Sequence, residues 1–196
     1  GLGVLLSFYI SYKTGLGLIT VINTSCVMLL WFYSVTFKKK LLAGNIIIAA
    51  LAAWVILAVY FFTTAHLFSF SGNEYLNVRR YFKFTLLYAG FAFIMTIIRE
   101  VIKDMEDTEG DRKYGCNTMP IAWGIPAAKI FTAVWIIVSI ATLGAFQLYE
   151  GLSGFPLASL YIILLIIVPL IVVLRRLYAS ESPPEYPKLS SMVKMI

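Results

Sequence analysis

Acidic side chains are crowded into one short stretch of this chain. The sequence contains 10 Asp and Glu residues, and six of them lie at positions 100–111. At about 100° per helical residue, four of these carboxylates fall within roughly 60° of one another: Glu100, Asp104, Asp107 and Asp111. Like charges on one helical face repel unless cations intervene, and Mg²⁺ is typically held by carboxylates, water and substrate phosphates. The stretch therefore predicts a Mg²⁺ site for a phosphorylated substrate.

The small and cyclic residues of this stretch predict its local shape. Gly110 would loosen the helix and let Asp111 turn toward the same ion. Gly115 and Pro120 would then end the element.

Basic residues nearby would complete such a site. Four of them could neutralise the substrate phosphates and stabilise a departing diphosphate: Lys38, Lys39, Lys103 and Arg112. Two alternatives stay open. An acidic–basic loop beside a membrane could simply be solvated, and the lysines at 38–40 could serve only to set the membrane topology.

The elements that position these residues are predicted to lie in a membrane. The chain is 60% hydrophobic, with a mean hydropathy of +0.86, against about 45–50% apolar residues in an ordinary soluble domain. A globular domain of 196 residues has too little interior to bury so much apolar surface. The surrounding solvent is therefore largely lipid, in which a helix satisfies every backbone amide internally.

Six helical spans are predicted from the uncharged runs. At about 20 residues per crossing, their approximate bounds are 1–12 (incomplete), 15–36, 44–66, 82–103, 127–148 and 155–176. The runs are too continuously apolar for the alternating pattern of an outer-membrane barrel. The predicted fold is all-α, a polytopic transmembrane helix bundle that forms a single integral membrane domain over residues 1–196.

The Lys and Arg residues predict how this bundle is oriented. Alternating the sides of successive spans places twelve of the 16 basic residues on one side. The other side carries Lys13, Arg79, Arg80 and Lys83. By the positive-inside rule the first side is cytoplasmic. The acidic stretch and the lysines at 38–40 are thus predicted to share the cytoplasmic side of the inner membrane.

Several other kinds of protein fit the sequence less well. Cys26 and Cys116 cannot form a disulfide framework, and no Cys/His spacing indicates zinc. The net charge of +6 does not indicate a nucleic-acid partner, because the basic residues bracket apolar runs. No protein partner is predicted either. Gly1 begins inside an apolar helix, so we expect the chain to be a fragment of a longer protein, truncated at both ends.

Two segments resemble motifs of the UbiA superfamily of intramembrane prenyltransferases. The segment "DMEDTEGDRKYGCNTMP", which begins at Asp104, is similar to the family's second aspartate-rich motif, D-x-x-D-x-x-G-D-x-x-x-G-x-x-T-[L/M]-P. The segment "FYSVTFKKKLLAGN" resembles the family's Tyr-Ser, Lys-Lys/Arg, Gly-Asn loop. In that loop the matching positions include Tyr33, Lys38, Lys39 and Asn45.

The resemblance implies a nine-helix bundle, of which this chain would supply helices three to eight and the start of the ninth. It also implies Mg²⁺-dependent transfer of a prenyl group from a polyprenyl diphosphate to an acceptor within the membrane. Asp104, Asp107 and Asp111 would be the catalytic and metal-binding residues. The residues expected to contact substrate, the nearby cations included, are Tyr33, Lys38, Lys39, Asn45, Lys103 and Arg112.

This sequence departs from the family pattern at one motif. The family's first aspartate-rich motif, N-x-x-x-D-x-x-x-D, is absent, because nothing before Glu74 is acidic. The chain alone is therefore expected to be inactive.

The acceptor is expected to be a glycerophosphate-lipid alcohol or an aromatic quinone precursor. The alternative function is a polytopic transporter or cation-binding membrane protein without transferase chemistry.

Overall fold

Long apolar helices dominate the structure, as the uncharged runs predict. The computed structural model describes residues 2–15, 17–64, 73–148, 156–180 and 185–196. The described residues contain β structure only as one pair of two-residue strands. Helices prevail because intrahelical hydrogen bonds satisfy the backbone without help from solvent.

The first half of the chain consists mainly of four helices. In chain order they are α1 (Leu2–Thr14), α2 (Gly17–Val35), α3 (Ala43–Thr64) and α4 (Asn73–Glu106). A 3₁₀ turn, Phe37–Lys39, and the strand β1, Lys40–Leu41, connect α2 to α3. The lysines at 38–40 therefore lie in a short connection between two apolar helices.

The second half begins with short elements and ends with apolar helices. The short elements are α5 (Thr108–Lys113), the strand β2 (Asn117–Thr118) and α6 (Met119–Trp123). They are followed by α7 (Ile125–Phe146), α8 (Pro156–Ile162), α9 (Val168–Ala179) and α10 (Tyr186–Met195). A π-helical turn, Ile163–Ile167, joins α8 to α9. Pro169 follows it, and this residue has no N–H to donate to the preceding turn.

Among the described residues, four helical segments are long and apolar enough to cross a membrane by length and composition. They are Ala43–Phe61, Arg79–Glu106, Ile125–Phe146 and Ser159–Ala179. The apolar parts of α1 and α2 are shorter, over Leu2–Lys13 and Thr20–Val35 in the described residues. The predicted all-α membrane bundle is confirmed, and helices lie at all six predicted places.

Some predicted bounds are wrong or lie outside the described residues. Helix α4 has 34 residues and begins at Asn73, well before the predicted span of 82–103. Polar and basic residues at its start misled the prediction, since an apolar window excludes residues that a helix readily includes. Residues 1, 65, 66 and 155, at the ends of predicted spans, lie outside the described residues.

The chain divides into two compact units, and the prediction of a single domain stays a prediction. The first unit comprises Gly1–Lys38 and Ile46–Phe93. Inside it, Thr20 Oγ1 donates to the Ser7 carbonyl oxygen over 3.0 Å, and Asn23 Nδ2 donates to Ser7 Oγ over 3.2 Å. Trp54 Nε1 donates to Asn23 Oδ1 over 3.3 Å. Such interhelical hydrogen bonds hold apolar helices together where lipid offers no polar partner.

The second unit comprises Lys39–Asn45 and Ile94–Ile196. In this unit α6 packs on α7, α7 on α9, and α9 on α10. Its buried side chains include Ile136 on α7, Leu177 on α9 and Tyr186 on α10. The unit also contains both the end of the lysine connection and the acidic stretch, so the candidate site can be described within it.

Candidate functional site

The end of α4 presents one buried apolar face and one acidic face. Ile98, Val101, Ile102 and Met105 are all fully buried. Their spacing of three and four residues places them along one side of the helix. Asp104 lies off this side and is half-buried. Packing of the apolar side therefore orients the end of α4 and determines where the first aspartate of the motif stands.

The helix does not continue through the acidic stretch. It is interrupted at Asp107, whose backbone angles of φ −87° and ψ 5° mark the start of α5. The backbone N–H of Asp111 still donates to the carbonyl of Asp107 over 2.9 Å. Gly110 lies inside α5, so the predicted loosening at that glycine is wrong, and the chain bends at Asp107 instead.

The end of the acidic element matches one predicted residue and not the other. Gly115 has a φ of 67°, a left-handed conformation that glycine adopts without a steric cost. The N–H of Cys116 then closes the turn onto the Asp111 carbonyl over 2.9 Å. Pro120 does not end this element; it lies in the first turn of α6, where its missing N–H is harmless.

Three carboxylates lie close enough to Asp104 to act on it electrostatically. They are Asp111, Glu100 and Asp107. They are also the residues that helical spacing places on the face of Asp104, so the bend at Asp107 preserves the cluster. The side chain of Asp107 is exposed and makes no capping hydrogen bond to α5. Its carboxylate is therefore open to solvent and to ligands.

Asn45, which follows the connection between α2 and α3, contacts this acidic cluster. Its side-chain Nδ2 donates to Asp104 Oδ2 over 2.8 Å. Asn45 itself is buried, in the first turn of α3. An amide donor orients the carboxylate and engages one of its oxygens, which leaves the other oxygen available to a cation. Asn45 is predicted from the sequence to bind substrate; its observed contact is with Asp104.

A short parallel strand pair makes a second connection between the same segments. Strands β1 and β2 pair so that Lys40 lies opposite Asn117 and Leu41 opposite Thr118. The lysine connection is thus held by backbone hydrogen bonds against the residues that follow the acidic helix. No period or motif in the sequence predicts a strand of two residues.

Glu100 has a partner of its own within α4. Arg99 Nη1 lies 2.7 Å from Glu100 Oε1 in an ion pair. The two residues are adjacent in the sequence, and Glu100 is almost fully buried. The paired Glu100 adds negative charge near Asp104, but its carboxylate is already engaged by a guanidinium.

Three of the predicted substrate-binding cations occupy exposed positions in the second unit. Lys39 lies in the 3₁₀ turn, Lys103 near the end of α4 and Arg112 in α5. The backbone of Lys38 is in the same turn as Lys39, but its side chain lies outside the described residues. Tyr33 is half-buried in α2 and belongs to the first unit. Of the predicted substrate-binding residues, the structure therefore brings Asn45 into contact with the acidic cluster.

The oxygen-rich donor set fits Mg²⁺ bound by few protein ligands. Among the described residues, no three His, Cys, Asp or Glu side chains lie in a group that could enclose one metal ion. Mg²⁺ does not need such a group, because it is usually held by one or two carboxylates together with waters and substrate phosphates. Asp104, half-buried and oriented, and Asp107, exposed, are suited to that kind of binding.

Sequence reasoning missed one buried polar group beside the cluster. The side chain of Thr118 is only 3% exposed, and its Oγ1 has no hydrogen-bond partner among the described residues. Thr118 occupies the threonine position of the aspartate-rich motif, which was the only available signal. Its burial depends on the pairing of β1 with β2, which no pattern in the sequence predicts.

Comparison with known proteins supports the likeness read from the two motifs. The chain is 33% identical over 141 residues to the digeranylgeranylglyceryl phosphate synthase of Methanothermobacter thermautotrophicus, covering 72% of this chain and 43% of that protein. It is 28% identical over 194 residues to the synthase of the same name from Methanosphaera stadtmanae, covering 98% and 62%. For the Pyrococcus furiosus synthase the identity is 28% over 196 residues, covering 100% and 62%.

These figures also describe how much of each relative is represented. The chain spans between 43% and 62% of the length of these three relatives. No solved structure matches it. Residues 1–192 match the UbiA prenyltransferase family. Since that match extends over nearly the whole sequence, the chain belongs to the UbiA prenyltransferase family.

Proposed function

We propose that the protein containing this chain transfers a prenyl group from a polyprenyl diphosphate to a glycerophosphate-lipid alcohol within the membrane. The observation that carries this proposal is the hydrogen bond from Asn45 to Asp104, made beside the pairing of β1 with β2. It joins the two segments that resemble family motifs at the end of an apolar helix. A phosphorylated substrate with an apolar tail suits a charged cluster in that position.

Each part of the site would have a defined task in the transfer. Asp104, Asp107 and Asp111 would hold the cation–diphosphate end of the donor, with Asn45 orienting Asp104. Mg²⁺, when bound, would supply positive charge that stabilises the diphosphate as the bond to the prenyl carbon breaks. Lys39, Lys103 and Arg112, all exposed, would offset the remaining phosphate charge. The acceptor hydroxyl would then form the new bond to the prenyl carbon and lose its proton.

The names of the relatives favour the glycerophosphate acceptor over the quinone precursor. All three relatives compared above are named digeranylgeranylglyceryl phosphate synthase. The corresponding reaction here joins geranylgeranyl diphosphate to geranylgeranylglyceryl phosphate. Tyr33, Lys38 and Asn45 stay proposed substrate contacts, and Asp104, Asp107 and Asp111 stay proposed metal ligands.

The alternative of a transporter without transferase chemistry has less support. A transporter would be expected to carry ionisable residues at mid-membrane depth on broken helices. The acidic cluster lies instead at the end of the candidate span Arg79–Glu106. That position suits an amphiphilic substrate, because the diphosphate group can reach the acidic cluster at the membrane surface while the prenyl chain stays in lipid.

An assay of the complete protein in lipid discs tests the proposal directly. We expect geranylgeranyl diphosphate and geranylgeranylglyceryl phosphate to give digeranylgeranylglyceryl phosphate and diphosphate in the presence of Mg²⁺. Homogentisate in place of the glycerophosphate lipid serves as the quinone-type comparison and should give no product. Product from homogentisate alone would reverse the choice of acceptor, and product from neither would refute prenyl transfer to both classes.

We also propose that the acidic stretch faces the cytoplasm from the inner membrane. A protein in which Glu109, an exposed residue, is replaced by cysteine tests this in a background without Cys26 and Cys116. A membrane-impermeant maleimide should label the Glu109→Cys variant in inside-out vesicles but not in intact cells. A Lys13→Cys variant should show the opposite pattern. The reverse result for the pair would place the acidic stretch outside.

A further inference from the structure

A small charged cavity lies where α9 meets α10, within the second unit. Its volume is about 200 Å³. It is lined by Arg176, Ala179, Ser180, Glu185, Lys188 and Leu189. The candidate span Ser159–Ala179 ends at the cavity. Tyr178, beside it, is 60% exposed, as is typical of aromatic residues at a membrane–water interface. If this helix spans the membrane, the cavity at its end would meet the layer of lipid headgroups.

The cations of this cavity are not needed to cap α9. Lys129, at the start of α7, donates from Nζ to the carbonyl oxygen of Ser180. Ser180 Oγ donates to the Leu177 carbonyl over 2.8 Å. These contacts serve the carbonyl groups that a helix leaves unpaired at its C-terminus. Capping thus does not explain why Arg176 and Lys188 line the cavity.

The charge of the cavity favours an anion. Its described lining contains two cations, Arg176 and Lys188, and one carboxylate, Glu185. Lys129, bound to Ser180, adds a third positive charge next to it. Arg176 Nη1 contacts Met192 Sδ at 3.5 Å, a weak acceptor that leaves the guanidinium able to bind oxygen anions. Both Arg176 and Lys188 are exposed and can be reached from the headgroup layer.

The surroundings favour an anion that carries hydrocarbon chains. On α9, Val172 lies one turn before Arg176 on the same face of the helix, leading from the cavity into the span, and it is only half-buried. On α10, Tyr186, Leu189 and Val193 are buried, and this packing holds Lys188 at the cavity. A phosphate in the cavity could therefore continue into acyl chains lying along α9.

We propose that this cavity binds the phosphate of an anionic membrane phospholipid, through Arg176 and Lys188. Basic pockets between helices at the membrane surface are suited to such headgroups. The cavity has the liquid volume of roughly seven waters, at about 30 Å³ each, which is enough for a phosphate with its four oxygens. This binding does not depend on the prenyl-transfer chemistry of the acidic cluster.

The test uses the complete protein in phosphatidylcholine discs with or without a minor fraction of phosphatidylglycerol. Native mass spectrometry measures the phosphatidylglycerol retained per protein, and thermal unfolding checks that each variant is folded. The Arg176→Gln/Lys188→Gln double variant should bind phosphatidylglycerol about 30-fold more weakly, since each cation at an anionic surface contributes about a factor of five. Arg175→Gln is the matched control, because Arg175 is exposed on the same helix but does not line the cavity.

Three results would overturn the proposal. The first is unchanged phosphatidylglycerol binding by a folded double variant. The second is an equal loss in Arg175→Gln, which would mean that the attraction is diffuse rather than local. The third is displacement of the lipid by inorganic phosphate, which would make the cavity a site for soluble phosphate. If the double variant alone does not fold, Lys188→Gln by itself should still weaken binding about fivefold, and unchanged binding in it has the same meaning.

Discussion

The side-chain amide of Asn45 donates to Oδ2 of Asp104 over 2.8 Å, although the two residues are 59 positions apart in the sequence. Asn45 is buried, and Asp104 is a half-buried member of the acidic cluster. The contact makes Asn45 a positioning residue, because it acts through the carboxylate that it orients. Its loss would leave Asp104 free to rotate away from a shared cation.

Replacement of Asn45 tests this role. Asn45→Ala should lower turnover about 10- to 100-fold, the usual cost of removing a partner of a metal ligand, and should raise the Mg²⁺ concentration needed for half-maximal activity. Asn45→Asp should be worse, because it adds a carboxylate to a crowded cluster. The measurements are kcat across a Mg²⁺ titration and Mn²⁺ binding followed by electron paramagnetic resonance.

Asn117→Ala is the matched control for Asn45, because Asn117 is exposed and pairs with Lys40 through its backbone. Its turnover and Mg²⁺ dependence should match those of the unmodified protein. A positioning role for Asn45 would be wrong if Asn45→Ala bound Mn²⁺ with unchanged affinity and kept its Mg²⁺ dependence.

Asp107 is expected to be indispensable for turnover. Asp107→Asn keeps the size of the side chain but removes a charge that no capping hydrogen bond uses. Turnover should be abolished, a fall of at least about 100-fold on the scale of a lost electrostatic contact. Glu109→Gln, an exposed acid two positions away, should change turnover less than about twofold. Full activity in Asp107→Asn would refute the assignment of the acidic cluster as the site that binds the cation and the diphosphate.

Removal of divalent metal should stop the reaction reversibly. A chelator should abolish turnover, because the diphosphate would then leave without charge compensation. Excess Mg²⁺ should restore it. Ca²⁺ should restore it poorly, because Ca²⁺ takes six to eight oxygen ligands at longer distances. Chelator already saturated with Mg²⁺ provides the control, and undiminished turnover in free chelator would rule out metal dependence.

Lys39 should contribute mainly to binding of the diphosphate. In Lys39→Gln the KM for the prenyl diphosphate should rise about 10-fold, the size of one hydrogen bond between charged groups. Lys113→Gln is the comparison, since Lys113 is exposed at the end of α5 and is not among the expected substrate contacts. A KM in Lys39→Gln that equals the value in Lys113→Gln would remove Lys39 from the site.

Thr118 provides a test of stability rather than of activity. Its buried hydroxyl has no partner among the described residues, so Thr118→Val should leave the free energy of unfolding unchanged or raise it by up to about 1 kcal/mol. Thr132→Val is the matched control, because the buried Thr132 hydroxyl donates to the Ala128 carbonyl over 2.8 Å. Thermal unfolding in detergent should show a loss only for Thr132→Val. An equal loss in both would mean that Thr118 has a partner after all.

Composition and residue spacing alone determine that this protein is an all-α membrane protein. They also determine which of its acidic residues share one face of a helix. A mean hydropathy of +0.86 indicates lipid as solvent, and the continuous apolar runs indicate helices rather than the alternating strands of a barrel, so the all-α membrane fold follows from local chemistry. The face shared by Glu100, Asp104 and Asp107 also follows from helical geometry, because these residues are close in the chain. Asp111 stays near them although the helix bends at Asp107.

Only the tertiary structure decides what the acidic cluster contacts. The partner of Asp104 lies in α3, and the strand paired with Asn117 lies before α3, so neither contact has a local period to reveal it. The burial of Thr118 likewise depends on the pairing of β1 with β2, and the cavity around Arg176 depends on how α9 and α10 pack. Hydrophobicity acts at every position independently, whereas a specific hydrogen bond needs two distant segments to meet at a distance of about 3 Å.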